Sequence, residues 1–256
     1  MLAAYALRGL KAGAVAGVGF ALFVALVASP LVAVAEERAG HHDEHAADGE
    51  HTGEAAHAHE AISAGPLSVS TAALSTVTNL LGGLGWGLLL GLGFGVAYYF
   101  LEPAVPGSGD ASVYLLGAAG LLTVSGAPWL AVPPQPPGVE GAPLETRGLR
   151  YGLALAAGAA ACLASGALYG RLTTAGRGRF VAAGAAALPL AALLALPGLS
   201  PPVGGAGPLV AAYRGVVLAG QVGLWLVLTT AFARLHRRGL DRDATAAAAP
   251  TAAAAD

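Results

Sequence analysis

The sequence predicts an all-α fold: a polytopic integral membrane bundle of about six transmembrane helices. Three observations carry this. Of 256 residues, 55% are hydrophobic and only 11% charged, against roughly 25% charged in soluble domains. The charges are clumped, so Ala12–Ala35, Ala61–Leu101, Ala111–Val139, Tyr151–Gly170, Phe180–Tyr213 and Gly215–Ala233 carry none. A bilayer core needs about 20 apolar residues per helix. Glycine numbers 38, which suits closely packed membrane helices. The same pattern excludes a soluble enzyme and lacks the short polar–apolar alternation of an outer-membrane strand. A net charge of −2 offers no basic field, so no nucleic-acid partner is expected.

The elements follow in order. Residues 1–35 hold the first helix, at about 10–34. Arg8 and Lys11, the apolar stretch and Ala33-Val34-Ala35 before Glu36 also fit a cleaved signal peptide. The apolar stretch is longer than a signal's usual ~7–15 residues. Gly9, Gly13 and Gly17 recur every four residues, which favours a helix that stays and packs. Residues 36–70 form an external His/acid-rich loop. Residues 71–235 hold five further helices, at about 77–101, 111–131, 151–170, 180–197 and 213–233. The last two share one uncharged run, broken by Pro197, Pro201, Pro202, Gly204, Gly205, Gly207 and Pro208. A Pro-rich external segment occupies 128–143. The 236–256 tail is Arg-then-Ala-rich, low in complexity and expected to be disordered.

Charge sets the orientation. With both termini in the cytoplasm, the inner segments hold Arg8, Lys11, Arg171, Arg177, Arg179, Arg234, Arg237, Arg238 and Arg242. The outer ones hold Arg38, Arg147, Arg150 and Arg214. This obeys the positive-inside rule and favours an even number of spans. The connection Glu102–Asp110 departs from it, being inner yet without a positive charge.

The loop after the first helix reads EERAGHHDEHAADGEHTGEAAHAHE. It holds six of the seven histidines: His41, His42, His45, His51, His57 and His59. Eight acids accompany them, among them Asp43, Glu44, Glu50 and Glu54, and Arg38 alone opposes them. Imidazole suits divalent transition metals and carboxylates add harder oxygens. The excess of negative charge concentrates cations at the membrane surface. His41 and His45 meet on a helical turn; His57 and His59 share a face of an extended strand. No spacing matches a closed structural zinc site, so a loose, rapidly exchanging collector is expected. These ligands leave cobalt, nickel, zinc and copper open. No permanently bound cofactor is expected; the metal is cargo.

Within the membrane, Gly83, Gly87, Gly91 and Gly95 form a stripe matching the one on the first helix, read as packing. Asn79 opens the second helix beside Ser75, Thr76 and Thr78, as a cap or an entrance lining. In the last helix Arg214, Gln221 and Trp225 fall within about 40° of one another. A glutamine at that depth faces protein or water, as a path lining or an inter-helix hydrogen bond. Arg214 is expected at the outer interface, or paired with Glu140 or Glu145. Pro128, Pro133, Pro134, Pro136 and Pro137 impose a stiff, extended backbone. It reads either as a rigid external loop or as a re-entrant segment whose carbonyls line a cavity. Cys162 reads as a small apolar residue. Ser125 and Ser165 have no histidine at comparable depth, and His236 reads as a helix-end residue among arginines. No enzyme is expected, and with no Walker motif any direct use of ATP would need a partner.

Four features together resemble the predicted cobalt transporter subunit family CbtA, over about residues 5–235. They are the helix ending in Pro30 and running to Ala35-Glu36-Glu37, the His/acid loop, the segment Pro128…Pro133-Pro134-x-Pro136-Pro137-Gly138, and Tyr213-Arg214 with Gln221 and Leu224-Trp225. The resemblance implies cobalt uptake for cobalamin synthesis across the inner (plasma) membrane, beside a small single-helix CbtB-like subunit. Family members are often described with five helices, one fewer than predicted here. Self-association stays open. The residues themselves leave two other readings: a metal-binding membrane scaffold or sensor that moves nothing, and an importer of nickel or zinc.

Overall fold

The computed structural model describes residues 1–32, 63–64, 67–68, 71–135, 143–195 and 207–252. The helices are α1 (Leu2–Val32), α2 (Thr71–Leu101), α3 (Asp110–Ala131), α4 (Leu144–Thr174), α5 (Arg179–Ala195) and α6 (Pro208–Ala252). Before α2, Ser63–Ala64 pairs antiparallel with Leu67–Ser68. Among the described residues five helical stretches are long and apolar enough to cross a membrane: Leu2–Val32, Leu80–Leu101, Asp110–Ala131, Leu144–Thr174 and Pro208–Arg242. The chain is a multi-pass membrane protein built as a helical bundle.

Among the described residues the predicted fifth helix in chain order is the shortest. α5 has 17 residues, about 25 Å at ~1.5 Å per residue, against a hydrocarbon core of about 30 Å. Pro189 lies inside it, and the helix ends in a 3₁₀ turn at Leu193–Ala195. The described helices number about six, as predicted, five of them long and apolar enough by themselves to cross a membrane. The other helices outrun their uncharged cores because long basic side chains are good helix formers and snorkel at helix ends. For that reason α6 continues through the Arg-rich stretch as far as Ala252, where the sequence suggests a disordered tail.

α1 packs between α2 and α6. Its Gly9, Gly13 and Gly17 face Gly95, Gly91, Gly87 and Gly83 of α2 in antiparallel register. A β-carbon built on Gly13 collides with the Gly87 carbonyl, and one on Gly91 with that of Gly9. The two backbones touch, which no larger residue permits. Lipid supplies no hydrophobic drive between helices, so such close van der Waals contact holds them. The expected packing role of both stripes is met.

The other flank of α1 meets α6, where Gly220 accommodates Phe20 and Phe23. α6 in turn packs on α3: Gly117 receives Thr229 and Gly120 the Trp225 ring. α4 follows against α3 through Gly158, and α5 lies against α4. A core of Leu90, Phe94, Tyr98, Val113, Leu116, Leu224, Leu228 and Phe232 fills the space between α2, α3 and α6. Phe94 and Tyr98 both meet Phe232 edge-on, with centroids 5.0 and 5.3 Å apart, a favoured aromatic geometry.

Two helices carry π-helical turns, Val24–Ala28 in α1 and Leu121–Gly126 in α3. Each precedes a proline, Pro30 or Pro128. A proline lacks the N–H and crowds the carbonyl four residues back, so the hydrogen-bond ladder widens before it. The Val124 carbonyl released by Pro128 accepts from the Tyr151 hydroxyl of α4 at 3.4 Å. Ser29 returns its hydroxyl to the Val24 carbonyl at 3.0 Å. Pro128 therefore lies inside α3, and the helix ends only at Val132.

Candidate functional site

The π turn places Ser125 toward α6, where two of the predicted path residues wait. Trp225 Nε1 donates to Ser125 Oγ at 3.1 Å, and Ser125 Oγ donates to Gln221 Oε1 at 2.9 Å. The three form one directed chain, Trp225 to Ser125 to Gln221, in which the serine uses both its donor and an acceptor. Trp225 is held rigidly, since its ring fills the gap left by Gly120 and meets Phe94 edge-on at 6.4 Å.

Gln221 opens onto a cavity of about 190 Å³. Its walls come from four helices: Trp86 of α2, Ser125, Pro128 and Trp129 of α3, Tyr151 of α4, and Val217 and Gln221 of α6, with Pro134 beyond the end of α3. One liquid water occupies roughly 30 Å³, so the space admits several. The lining is mostly apolar, with an amide, a hydroxyl, a phenol and two indoles as its polar side chains. Among the described residues no carboxylate, imidazole or thiol lines it. Among the described residues no cluster of three or more His, Cys, Asp or Glu could hold a metal.

Arg214 sits one level out. Its Nε donates to the Pro134 carbonyl at 3.2 Å, tying α6 to the proline segment. Its Nη2, Trp129 Nε1 and Gln135 Oε1 are buried and make no hydrogen bond among the described residues. Its expected ion pair with Glu145 does not form, and Glu140 lies outside the described residues. Pro133 and Pro134 flank this contact as extended backbone after α3.

A second polar cluster closes the opposite end of the bundle, and the sequence reading missed it. His236 is buried, not a helix-end residue in solvent. Its Nε2 lies 3.9 Å from Glu102 Oε1 and its Nδ1 3.3 Å from Arg8 Nη1. Tyr5 donates to Glu102 Oε2 at 3.0 Å. Tyr98 stands 3.5 Å from Glu102 Oε1 and 2.9 Å from Ser112 Oγ. Beside it Arg237 pairs with Asp110. The acids of the Glu102–Asp110 connection, which carries no positive charge of its own, are thus answered by the Tyr5 hydroxyl of α1 and by His236 and Arg237 of α6.

The other predicted residues divide. His41, His42, His45, His51, His57, His59, Asp43, Glu44, Glu50 and Glu54 lie outside the described residues, as does the side chain of Asn79 on α2. Cys162 packs between α4 and α3, near Thr123 Oγ1 at 3.6 Å and the Ala119 carbonyl at 3.7 Å, as a small buried residue would. Ser125 and Tyr151 line the cavity beside Gln221 and were not among the residues singled out from the sequence for this site. A helical periodicity shared by Pro128, Trp129 and Ser125 was the one signal available.

No curated protein and no solved structure matches the chain. The family model described as "Probable cobalt transporter subunit (CbtA)" matches residues 2–237, nearly the whole length. The chain belongs to the CbtA family of probable cobalt transporter subunits.

Proposed function

We propose that this protein takes up a divalent transition metal across the inner membrane, most specifically cobalt destined for cobalamin synthesis. The observation that carries the reading is the mostly apolar cavity whose few polar groups include the Trp225–Ser125–Gln221 chain, in a bundle of a family described as a cobalt transporter subunit. The external loop captures the ion through His41, His42, His45, His51, His57 and His59, helped by Asp43, Glu44, Glu50 and Glu54. Negative charge there raises the local cation concentration. The ion then passes Asn79 and enters between α2, α3 and α6 with water still bound. Gln221 and Ser125 replace part of its outer hydration, at little cost because both are already oriented. Trp225 positions Ser125. Arg214 repels a bare cation, so its role is to hold Pro134, and with it Pro133, at the mouth.

Both termini lie in the cytoplasm in this reading, following the positive-inside distribution. The pairing of Glu102 and Asp110 with His236 and Arg237 supports it, since it accounts for the one acidic inner connection. Membership in a family of transporter subunits implies a partner, for which a single-helix CbtB-like chain is the candidate.

The test is cobalt accumulation at low external cobalt, in cells lacking their own importer and expressing this chain with its partner. Wild type should accumulate cobalt, Gln221→Leu should not, and a variant with all six loop histidines changed to alanine should need more cobalt. Accumulation of nickel or zinc instead would reassign the cargo. Loop binding without accumulation of any metal would make the chain a scaffold or sensor.

A further inference from the structure

His236 lies where α1 and α3 begin, at the end that α2 and α6 reach, and is only 5% exposed. Groups from three other helices face it. From α1 come Arg8 and the Tyr5 ring, whose centroid is 5.4 Å away. From α2 comes the Tyr98 ring, at 5.3 Å, and from the residue just beyond its end Glu102. From α3 come Ser112, bonded to Tyr98, and Asp110, already paired with Arg237 of α6. Arg8 is seated rather than wandering. Its guanidinium lies 5.4 Å over the Tyr5 ring and fills the space above Gly239, where a β-carbon would strike it.

Counting hydrogens decides the protonation pattern. A guanidinium only donates, so Nδ1 turns its lone pair to Arg8. The neutral ring then carries its hydrogen on Nε2, aimed at Glu102. At 3.9 Å the Nε2 to Glu102 gap is too long for a hydrogen bond, so this contact stands open. A metal would need the Nε2 lone pair, which that hydrogen occupies. A proton has a ready site on Nδ1. Once there, it makes both ring nitrogens donors, and two donors cannot share the Arg8 contact.

We propose that His236 is a proton-binding latch between α1 and α6. A proton from the adjoining solution adds to Nδ1 and the Arg8 contact breaks. The imidazolium then closes on the Glu102 carboxylate, exchanging a tie from α6 to α1 for one from α6 to α2. The Tyr5 hydroxyl already holds the far oxygen of Glu102, keeping the carboxylate in place to receive it. This deepens the uptake reading and rests on it for its purpose: a proton arriving at this end would shift the helices that flank the cation's path.

The test uses the full chain in lipid nanodiscs with ¹⁵N-labelled histidine rings, in a background with the six loop histidines changed to alanine. At high pH the remaining ring should be neutral with its hydrogen on Nε2, and lowering the pH should protonate both nitrogens. Gly239→Ala, which displaces Arg8 without changing charge, should release the fixed tautomer, as should Arg8→Met. The midpoint of protonation should move in opposite senses in Arg8→Met and Glu102→Gln, since one removes a cation and the other an anion. Spin labels on the ends of α1 and α6 should separate across the same transition. A neutral ring with its hydrogen on Nδ1, a midpoint unmoved in both charge variants, or an unchanged spin-label distance would each overturn the latch. None of these readouts needs cobalt, so absent uptake with an intact His236 transition would count against the transport reading alone.

Discussion

Replacing Gly13 or Gly91 by alanine should destabilise the bundle, whereas the same change at Gly19 or Gly93 should not. In the first pair a β-carbon meets facing backbone closer than 3.0 Å, and ordinary contact begins at 3.4 Å. Backbone cannot swing aside as a side chain can. The nearest facing carbonyls stand 2.2 and 2.3 Å from that β-carbon, so the backbones of α1 and α2 must give way by roughly 1 Å, and a radial gap of that order forfeits up to about half of the dispersion well along the seam. Overpacking of this kind costs about 1–3 kcal/mol. At Gly19 and Gly93 nothing lies within 4 Å of the built β-carbon, and alanine gains about 0.5–1 kcal/mol over glycine in a helix. The pairs therefore differ in sign. Thermal unfolding of the purified protein in one fixed detergent, followed by tryptophan fluorescence, would read the contrast. Equal shifts for Gly13→Ala and Gly19→Ala, or for Gly91→Ala and Gly93→Ala, would refute backbone-on-backbone packing as what holds α1 in place.

Further expectations concern the path and the bundle's end. Ser125→Ala should leave the Trp225 indole N–H buried without its acceptor, at a cost of about 1–3 kcal/mol, and should lower cobalt uptake alongside Gln221→Leu at unchanged protein level. Gly120→Val should drive the Trp225 ring from its seat; a shift in tryptophan emission reads the displacement, and an unshifted spectrum would contradict it. The Asp110–Arg237 pair, with side chains 30% and 56% exposed, should contribute no more than about 1 kcal/mol. Asp110→Asn should then barely alter thermal stability. Arg214→Gln should loosen the proline segment, read as faster proteolysis between α3 and α4 in outside-out vesicles.

Much of the architecture follows from local chemistry. Long uncharged runs in lipid must satisfy their own backbone hydrogen bonds, which only a helix does within one segment. Hence the helix positions, the paired glycine stripes and the clustering of arginines at helix ends were all readable from residue order. The shortness of α5 was less so, because Pro189 and the prolines that follow interrupt an uncharged run whose composition alone reads as two spans. The length of α6 beyond its apolar core was hidden for the opposite reason: arginine and alanine read as a tail but propagate a helix already nucleated.

Partner identity was decided by the tertiary structure. Lipid-facing and protein-facing surfaces are both apolar, so no amphipathic pattern tells a helix which neighbour it meets. Gln221 and Trp225 announced a polar face, but only packing brought them to Ser125, 96 and 100 residues away in sequence. His236 looked like a helix-end residue among arginines until α1 and α2 were laid against it, supplying Arg8 and Glu102 from distant parts of the chain. Local sequence sets what each helix is. Contact between backbones, permitted by glycine and enforced over long sequence separation, sets which polar groups meet.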